Sequence, residues 1–326
     1  MSDLKHKILH LVQNDLDKIE VALKENLNPH IDIVSKIASH ILFSGGKRLR
    51  PLLMVLSSRI CDYDSNDYHT LSVIFEYLHA ATLLHDDLVD EASLRRGQPV
   101  ANLIWDNPTA VLAGDFLLAR SLSIAAQTNR PDVIKTVAQI TEYMSQGEIY
   151  QLMRRGSLDL DEEEYMEIIK CKTAVLFQGA CRVGALIADT SYKKEEELSK
   201  YGFNLGIAFQ MADDLLDYTL NTTTLGKEVG ADLKEGKLTL PVIYSLKAAG
   251  ARDRSQMQQI ITNKAFSLKD FKLLIHMIHK HGGQKYTQDQ AAIYVRNAKE
   301  ALKIFKDSKT KQALLMLADY ALVRKA

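Results

Sequence analysis

Six aspartates in two matching clusters carry the first chemical signal in the sequence. Asp86-Asp87-Leu88-Val89-Asp90 and Asp213-Asp214-Leu215-Leu216-Asp217 share the pattern Asp-Asp-x-x-Asp. On a helix each residue advances by about 100°, so Asp86 and Asp90 stand about 40° apart on one face, with Asp87 about 100° round from Asp86. Asp213, Asp217 and Asp214 repeat that arrangement. Carboxylates grouped in this way repel one another unless a cation joins them. An all-oxygen donor set suits Mg²⁺, which completes its octahedron with water and phosphate oxygens. A solvated acidic face would show the same triplet. Here, however, Leu83, Leu84, Leu88 and Val89 surround the first cluster, and Phe209, Met211, Leu215 and Leu216 the second. Carboxylates in such apolar stretches are costly without a partner. Two copies in one chain point to a metal-bound diphosphate held from two sides.

A diphosphate still carries charge for basic side chains to neutralise. Three basic groups stand near the clusters in sequence. Gly45-Gly46-Lys47-Arg48-Leu49-Arg50-Pro51 joins two helical segments, Arg95-Arg96-Gly97 follows the first cluster, and Lys227 and Lys237 follow the second. Surface loops are often basic, so the weight lies in their order around the acidic clusters. His79 precedes Asp86 by seven residues, which puts it within about 20° of the same helix face. A lone helical His is usually structural, but one aligned with a metal-binding face is read here as a ligand contact.

The elements that must position these groups are helical. Ile31, Val34, Ile37, Ala38, Ile41 and Leu42 recur at helix spacing until Gly45-Gly46 ends the run. Pro51 stands where a new helix would begin. Unbroken segments run from about Asp67 to Glu91 and from about Asp161 to Ala188, while Gly97-Gln98-Pro99 and Asn107-Pro108 mark breaks. No convincing alternating strand and no low-complexity linker divides the chain. The expectation is an all-α fold, a single large helical bundle around a central active-site cavity, with residues 1–326 as one domain.

Bulk properties narrow the class. The chain has 326 residues, with 41 basic and 41 acidic side chains. A balance of this kind argues against broad nucleic-acid binding, which needs a basic surface. Cys61, Cys171 and Cys181 show no metal-ligand spacing and read as free thiols in a reducing compartment. The N-terminus lacks the apolar core of a signal peptide. The longest apolar candidate for a membrane span, Thr173 to Ala188, is broken by Gln178 and Arg182. The reading is a cytoplasmic protein without a transmembrane segment.

Taken together, these motifs resemble the trans-type isoprenyl diphosphate synthases, and within them the longer-chain bacterial members. The likeness runs from about Lys36 to Tyr244. It rests on the paired Asp-Asp-x-x-Asp motifs, Gly-Gly-Lys-Arg-Leu-Arg-Pro, Leu-Arg-Arg-Gly, Lys-Thr-Ala and Gly-Lys-Glu-x-Gly-x-Asp-Leu, in the family's order. The resemblance implies an isoprenoid-synthase bundle that condenses isopentenyl diphosphate with an allylic diphosphate in repeated head-to-tail steps. The starter would be farnesyl or geranylgeranyl diphosphate, and the product a long-chain all-trans polyprenyl diphosphate for a quinone side chain. It implies three Mg²⁺ per active site, held by Asp86, Asp87 and Asp90 opposite Asp213, Asp214 and Asp217. Lys47, Arg50, His79 and Arg96 would bind isopentenyl diphosphate. Arg95, Lys172 and Lys227 would hold the allylic diphosphate, Lys237 would lie near both, and Thr173 and Gln210 would line the reacting carbon. Arg324 and Lys325 resemble a closing basic tail. Small residues at Ala81 and Thr82, where short-chain members carry aromatics, would leave a product tunnel open. Family members are usually homodimers, and a long-chain product would pass to a membrane.

Three other readings compete. A terpene cyclase would normally replace the second aspartate triplet and lack the isopentenyl-binding cations. A non-catalytic subunit of a heteromeric synthase would typically lose an aspartate motif, and a di-iron bundle needs Glu-x-x-His pairs that are missing. Within the family, a short-chain farnesyl or geranylgeranyl diphosphate synthase is the alternative.

Overall fold

Local signals set most helix boundaries. Helix α1 covers Ser2–Asn26 and α2 Asp32–Phe43. Gly45 and Gly46 then take φ values of +113° and +148°, a conformation that stops a helix cleanly. Helix α3 (Leu49–Ile60) begins two residues before Pro51, whose missing N–H falls among the first-turn donors that need no helical partner. Helix α4 runs Tyr68–Val89 and α5 Ala101–Ile104. Asp106 caps α6 (Asn107–Gln127) by accepting the Thr109 N–H at 2.7 Å. Pro131 opens α7 (Pro131–Met153), and Asp161 and Glu164 form a reciprocal capping box at α8 (Glu162–Ile169). Helices α9 (Val175–Ile187) and α10 (Tyr192–Asp217) follow, and later helices span Leu240–Ala248, Ala251–Thr262, Leu268–Lys280, Gly283–Ala301 and Lys309–Val323. The structure, a computed structural model, describes residues 2–65, 67–218, 230–263 and 265–323.

The all-α expectation holds, with two local departures. The segment after α4 is a tight antiparallel hairpin, β1 (Leu94–Arg95) paired with β2 (Gln98–Pro99), rather than an irregular loop. Its two turn residues, Arg96 and Gly97, both have positive φ (53° and 77°). That geometry matches the right-handed twist of a two-residue hairpin, and at Arg96 it is strained for a residue with a side chain. The second departure lies inside the long helical segment that begins near Asp161. Between α8 and α9, residues Lys170–Ala174 form a π-helical turn, a wider turn that often marks a functional site. Neighbouring helices approach it closely through glycine. A Cβ on Gly147 of α7 would meet Cys171 Cβ at 2.7 Å, and one on Gly206 of α10 would meet Ala174 Cα at 2.7 Å.

Two apolar cores form. The first gathers α1–α4, α6, α7, α9 and much of α10, with Phe75, Tyr77, Phe177 and Tyr201 fully buried. The second gathers α8 and the helices from 240 to 301 around Phe271, and Tyr294 packs against both. Helix α4 lies against α3, α6 and α1, and α10 against α9 and the helix Gly283–Ala301. Among the described residues α6, not the Thr173–Ala188 stretch, is the one helix long and apolar enough to cross a membrane by length and composition. The reason is that it is apolar on two sides: Ala113, Leu117 and Ile124 face the core, while Val111, Leu112 and Leu122 are exposed.

Candidate active site

Both aspartate clusters occupy the last turn of a helix, where α4 ends at Val89 and α10 at Asp217. A helix C-terminus already carries partial negative charge, so carboxylates placed there need cations to offset them. Asp86, Asp87 and Asp90 have cationic side chains against them, and Asp214 has neutral donors. Asp87, almost fully buried, accepts from Arg95 Nε at 2.7 Å and Nη2 at 2.6 Å. Asp90 takes Lys237 Nζ on Oδ2 at 2.6 Å and Arg155 Nη2 on Oδ1. Asp86 lies 3.5 Å from Lys172 Nζ, whose ammonium is also held by Glu148 Oε2 and by Gln151 Oε1 at 2.9 Å. Asp214, at 4% exposure, accepts from Tyr165 Oη at 2.6 Å and Gln210 Nε2 at 2.8 Å. Asp213 and Asp217 are half-buried on the same turn of α10.

The π-turn joins the two clusters. Lys172 reaches Asp86, and the next residue, Thr173, donates through Oγ1 to Gln210 Oε1 at 2.8 Å. Gln210 in turn donates to Asp214, so a continuous polar chain runs from the end of α4 to the end of α10. Between them lies a cavity of about 600 Å³. Leu83, packed on the first core, and Leu160, Tyr165 and Ile168, from the second, share its wall with Asp86, Asp90, Arg95, Arg96, Lys172, Thr173, Gln210, Asp214 and Lys237.

The electrostatics follow from crowding. Burial pushes the Asp86 carboxyl up to about 6, against the pull of Lys172 and with the help of Glu148 and Asp90. Burial, with Asp232 and Asp213, pushes Asp214 up to about 7, against its bonds from Tyr165 and Gln210. Asp90 is buried too, but Lys237, Lys172 and Arg155 outweigh that and hold it below its ordinary value. Burial, then the positive charges of Arg50, Arg96, Arg95 and Arg48, push His79 well below its ordinary value and keep it neutral.

The basic groups divide their work. Arg50 lies over the Phe177 ring at 4.9 Å, and Lys47, exposed, over the Tyr320 ring at 5.8 Å. Arg96 turns back to the Gly45 carbonyl and to Ser44 Oγ at 3.4 Å. Arg50 and Arg96 thus form one cationic corner around neutral His79, while Arg95, on the other side of the hairpin turn, faces the aspartates. Arg48, in the same motif as Lys47 and Arg50, is structural: it is buried on Glu20 (2.6 Å), Glu76 (2.8 Å) and the Leu42 carbonyl (2.6 Å).

Ala81 is fully buried and Thr82 half-buried, its hydroxyl donating to the His79 carbonyl at 2.8 Å. Neither lines the cavity, and Leu83 does. Lys47, Arg50, His79, Asp87, Asp213 and Asp217 also stand outside its wall. Lys227, Arg324 and Lys325 lie outside the described residues. Sequence reasoning missed Glu148, Gln151, Arg155 and Tyr165. Arg155 had a signal, since Arg154-Arg155-Gly156 repeats the Arg95-Arg96-Gly97 triplet. Glu148 and Tyr165 had none, because each is defined by its contact with the π-turn or with Asp214.

Among the described residues no three His, Cys, Asp or Glu side chains converge closely enough to enclose a metal by themselves. That fits a cation which takes one or two carboxylates and draws its other oxygens from substrate phosphate and water. Residues 31–278 match the polyprenyl synthetase family model. The chain belongs to the polyprenyl synthetase family. The match is wider than the Lys36–Tyr244 likeness seen in the motifs. The chain is 34% identical to the octaprenyl diphosphate synthase of Escherichia coli over 318 residues, 98% of each chain. It is 36% identical over 324 residues to the geranyl-diphosphate-specific all-trans-nonaprenyl-diphosphate synthase of Rhodobacter capsulatus, covering 99% of this chain and 98% of that one. In structure it is similar to a polyprenyl synthase from Caulobacter crescentus complexed with calcium and isoprenyl diphosphate, with a TM-score of 0.93, 38% identity and 98% coverage of both chains. The enzyme is a prenyltransferase with the all-α isoprenyl synthase fold.

Proposed function

We propose that this prenyltransferase extends farnesyl or geranylgeranyl diphosphate with isopentenyl diphosphate in Mg²⁺-dependent steps to a long-chain all-trans polyprenyl diphosphate. The observation that carries the reading is the polar chain from Asp86 through Lys172 and Thr173 to Gln210 and Asp214, which brings Asp86 and Asp90 of one cluster and Asp214 of the other to one cavity. Its donor set fits a divalent cation and a diphosphate, and the Caulobacter relative was crystallised with calcium and isoprenyl diphosphate. Bound Mg²⁺, three ions in this reading, would neutralise the allylic diphosphate as its C–O bond breaks.

The protein's own groups do the rest. Asp86, Asp87 and Asp90 on one side, and Asp213, Asp214 and Asp217 on the other, supply carboxylate oxygens. Arg95, Lys172, Lys227 and Lys237 add positive charge at the allylic diphosphate, where fixed cations in a water-poor site stabilise developing negative charge. Thr173 and Gln210 present oriented oxygens beside the reacting carbon. Lys47, Arg50 and Arg96 hold isopentenyl diphosphate, and neutral His79 contributes a hydrogen bond without further charge. The departing diphosphate is itself the base for the final proton loss, so no protein base is required. Leu83, Leu160 and Ile168 keep water from the allylic cation.

The exposed apolar side chains of α5–α7, among them Leu103, Ile104, Val111, Leu112, Tyr143 and Ile149, support a homodimer. We place the enzyme in the cytoplasm, passing its product to a membrane. The test is incubation with Mg²⁺, farnesyl diphosphate and labelled isopentenyl diphosphate, followed by chromatography of dephosphorylated products. Products longer than twenty carbons that vanish with EDTA and return with Mg²⁺ support the reading. Products of twenty carbons or fewer would assign the chain to the short-chain enzymes.

A further inference from the structure

The chain carries the triplet Arg-Arg-Gly twice, at Arg95-Arg96-Gly97 and at Arg154-Arg155-Gly156. Each ends in a glycine with φ of +77°. The first supplies Arg95 to Asp87, and the second supplies Arg155 to Asp90, another residue of the same cluster. Arg155 Nη2 bonds Asp90 Oδ1, and Nη1 donates to the Val89 carbonyl at 3.3 Å. The Gly156 N–H donates to the Gly236 carbonyl at 2.8 Å, which sets this turn beside Lys237. Lys237 Nζ takes the other oxygen of Asp90 at 2.6 Å. Each carboxylate oxygen is therefore engaged by a cationic side chain, and a metal ion binding there must share an oxygen with one of them or displace it.

The two cations are not equally fixed. The Lys237 side chain is 11% exposed and has a second carboxylate, Glu235, at 2.7 Å. The Arg155 side chain is 27% exposed, and among the described residues its buried Nε–H has no hydrogen-bond partner. It lines the cavity, and a planar guanidinium with a spare donor matches the oxygens of a diphosphate. Arg154 shares the cavity wall and an unpartnered Nε–H among the described residues, but its guanidinium is held by Glu164 at 2.8 Å and Asp159 at 3.3 Å instead of by an aspartate of the cluster. We propose that Arg155 is a further diphosphate-binding residue, which neutralises Asp90 in the free enzyme and transfers to the allylic diphosphate when a divalent cation takes Asp90.

This inference rests on the metal–diphosphate reading of the cavity, and the experiment separates the two. Inorganic pyrophosphate is titrated calorimetrically in the presence of Mg²⁺ into the wild type, Arg155→Gln and Arg155→Lys, with circular dichroism melts to confirm folding. The expected result is affinity weakened about tenfold or more in Arg155→Gln and less in Arg155→Lys. In turnover, the KM for the allylic substrate should rise similarly in Arg155→Gln while that for isopentenyl diphosphate stays within about twofold. Wild-type or tighter pyrophosphate affinity in a folded Arg155→Gln overturns the proposal and leaves the general reading standing. Failure of the wild type to bind pyrophosphate with Mg²⁺ overturns both. If Arg155→Gln does not fold, Arg155→Lys decides, since it keeps the charge but loses the fork: weakened binding supports the proposal and unchanged binding sinks it.

Discussion

Replacing Tyr165 with Phe removes one hydroxyl and no packing volume of consequence. That hydroxyl donates to Asp214 Oδ2 at 2.6 Å, between side chains of residues 3% and 4% exposed. A hydrogen bond to an ionised group contributes about 1.5–3 kcal/mol. For a chain of this size, with an unfolding entropy of about 2.1 cal/mol/K per residue, the melting temperature should fall by about 2–4 °C. The loss should depend on pH. Asp214 is pushed up to about 7 in the fold against an ordinary value of 3.8, so this group's contribution to stability falls as pH rises through that window. Tyr165 favours the ionised form, and its removal moves the Asp214 carboxyl higher still. The gap between wild type and Tyr165→Phe is therefore widest above about pH 8. It narrows below about pH 6, where Asp214 is protonated in both and only a neutral bond of about 1 kcal/mol is lost. Thermal melts in EDTA at about pH 8.5 and pH 5.5, followed by circular dichroism, measure it. No loss at high pH, or an equal loss at both, would refute the account of Asp214 as a strained buried carboxylate.

Three further outcomes follow from the same geometry. Arg95→Ala should mainly raise the KM for the allylic substrate and Arg96→Ala that for isopentenyl diphosphate, each by about tenfold or more. Equal shifts in both KM values would contradict the division made by the hairpin turn. Arg48→Ala should destabilise the fold by about 3–5 kcal/mol, because Glu76 is left buried without its guanidinium; denaturant unfolding checks this, and a loss under about 1 kcal/mol would show that Arg48 is not structural. Ala81→Tyr or Thr82→Phe should shorten the product to farnesyl or geranylgeranyl length while the first condensation survives. Wild-type product length with good activity in both, read by mass spectrometry, would remove these positions from any tunnel.

The aspartate clusters were legible in the sequence because helix periodicity alone puts their carboxylates on one face. The helix ends were nearly as legible, since Gly45-Gly46, Pro51 and Pro108 act through local backbone sterics. Features that depend on tertiary approach were not. Residues Lys170–Ala174 have the composition of any helix, and what sets the π-turn apart is the close passage of Gly147 and Gly206. The roles within Lys47-Arg48-Leu49-Arg50 could not be separated by type, because Arg48 owes its burial to Glu20 and Glu76, far away in sequence. The helical wheel aligned His79 with Asp86, yet it stands outside the cavity wall, and its neutrality comes from burial and from arginines on other elements. Ala81 illustrates the reverse: the helical wheel turned it away from Asp86, and it is buried in the first core.

The central claim is that Asp86 and Asp213, at the ends of α4 and α10, act together on one metal-bound diphosphate. Steady-state turnover of Asp86→Ala and Asp213→Ala, beside the wild type at saturating Mg²⁺, tests it most directly. The account predicts losses of several orders of magnitude in both variants, with the helical circular dichroism spectrum unchanged. Near-wild-type turnover in either would contradict it.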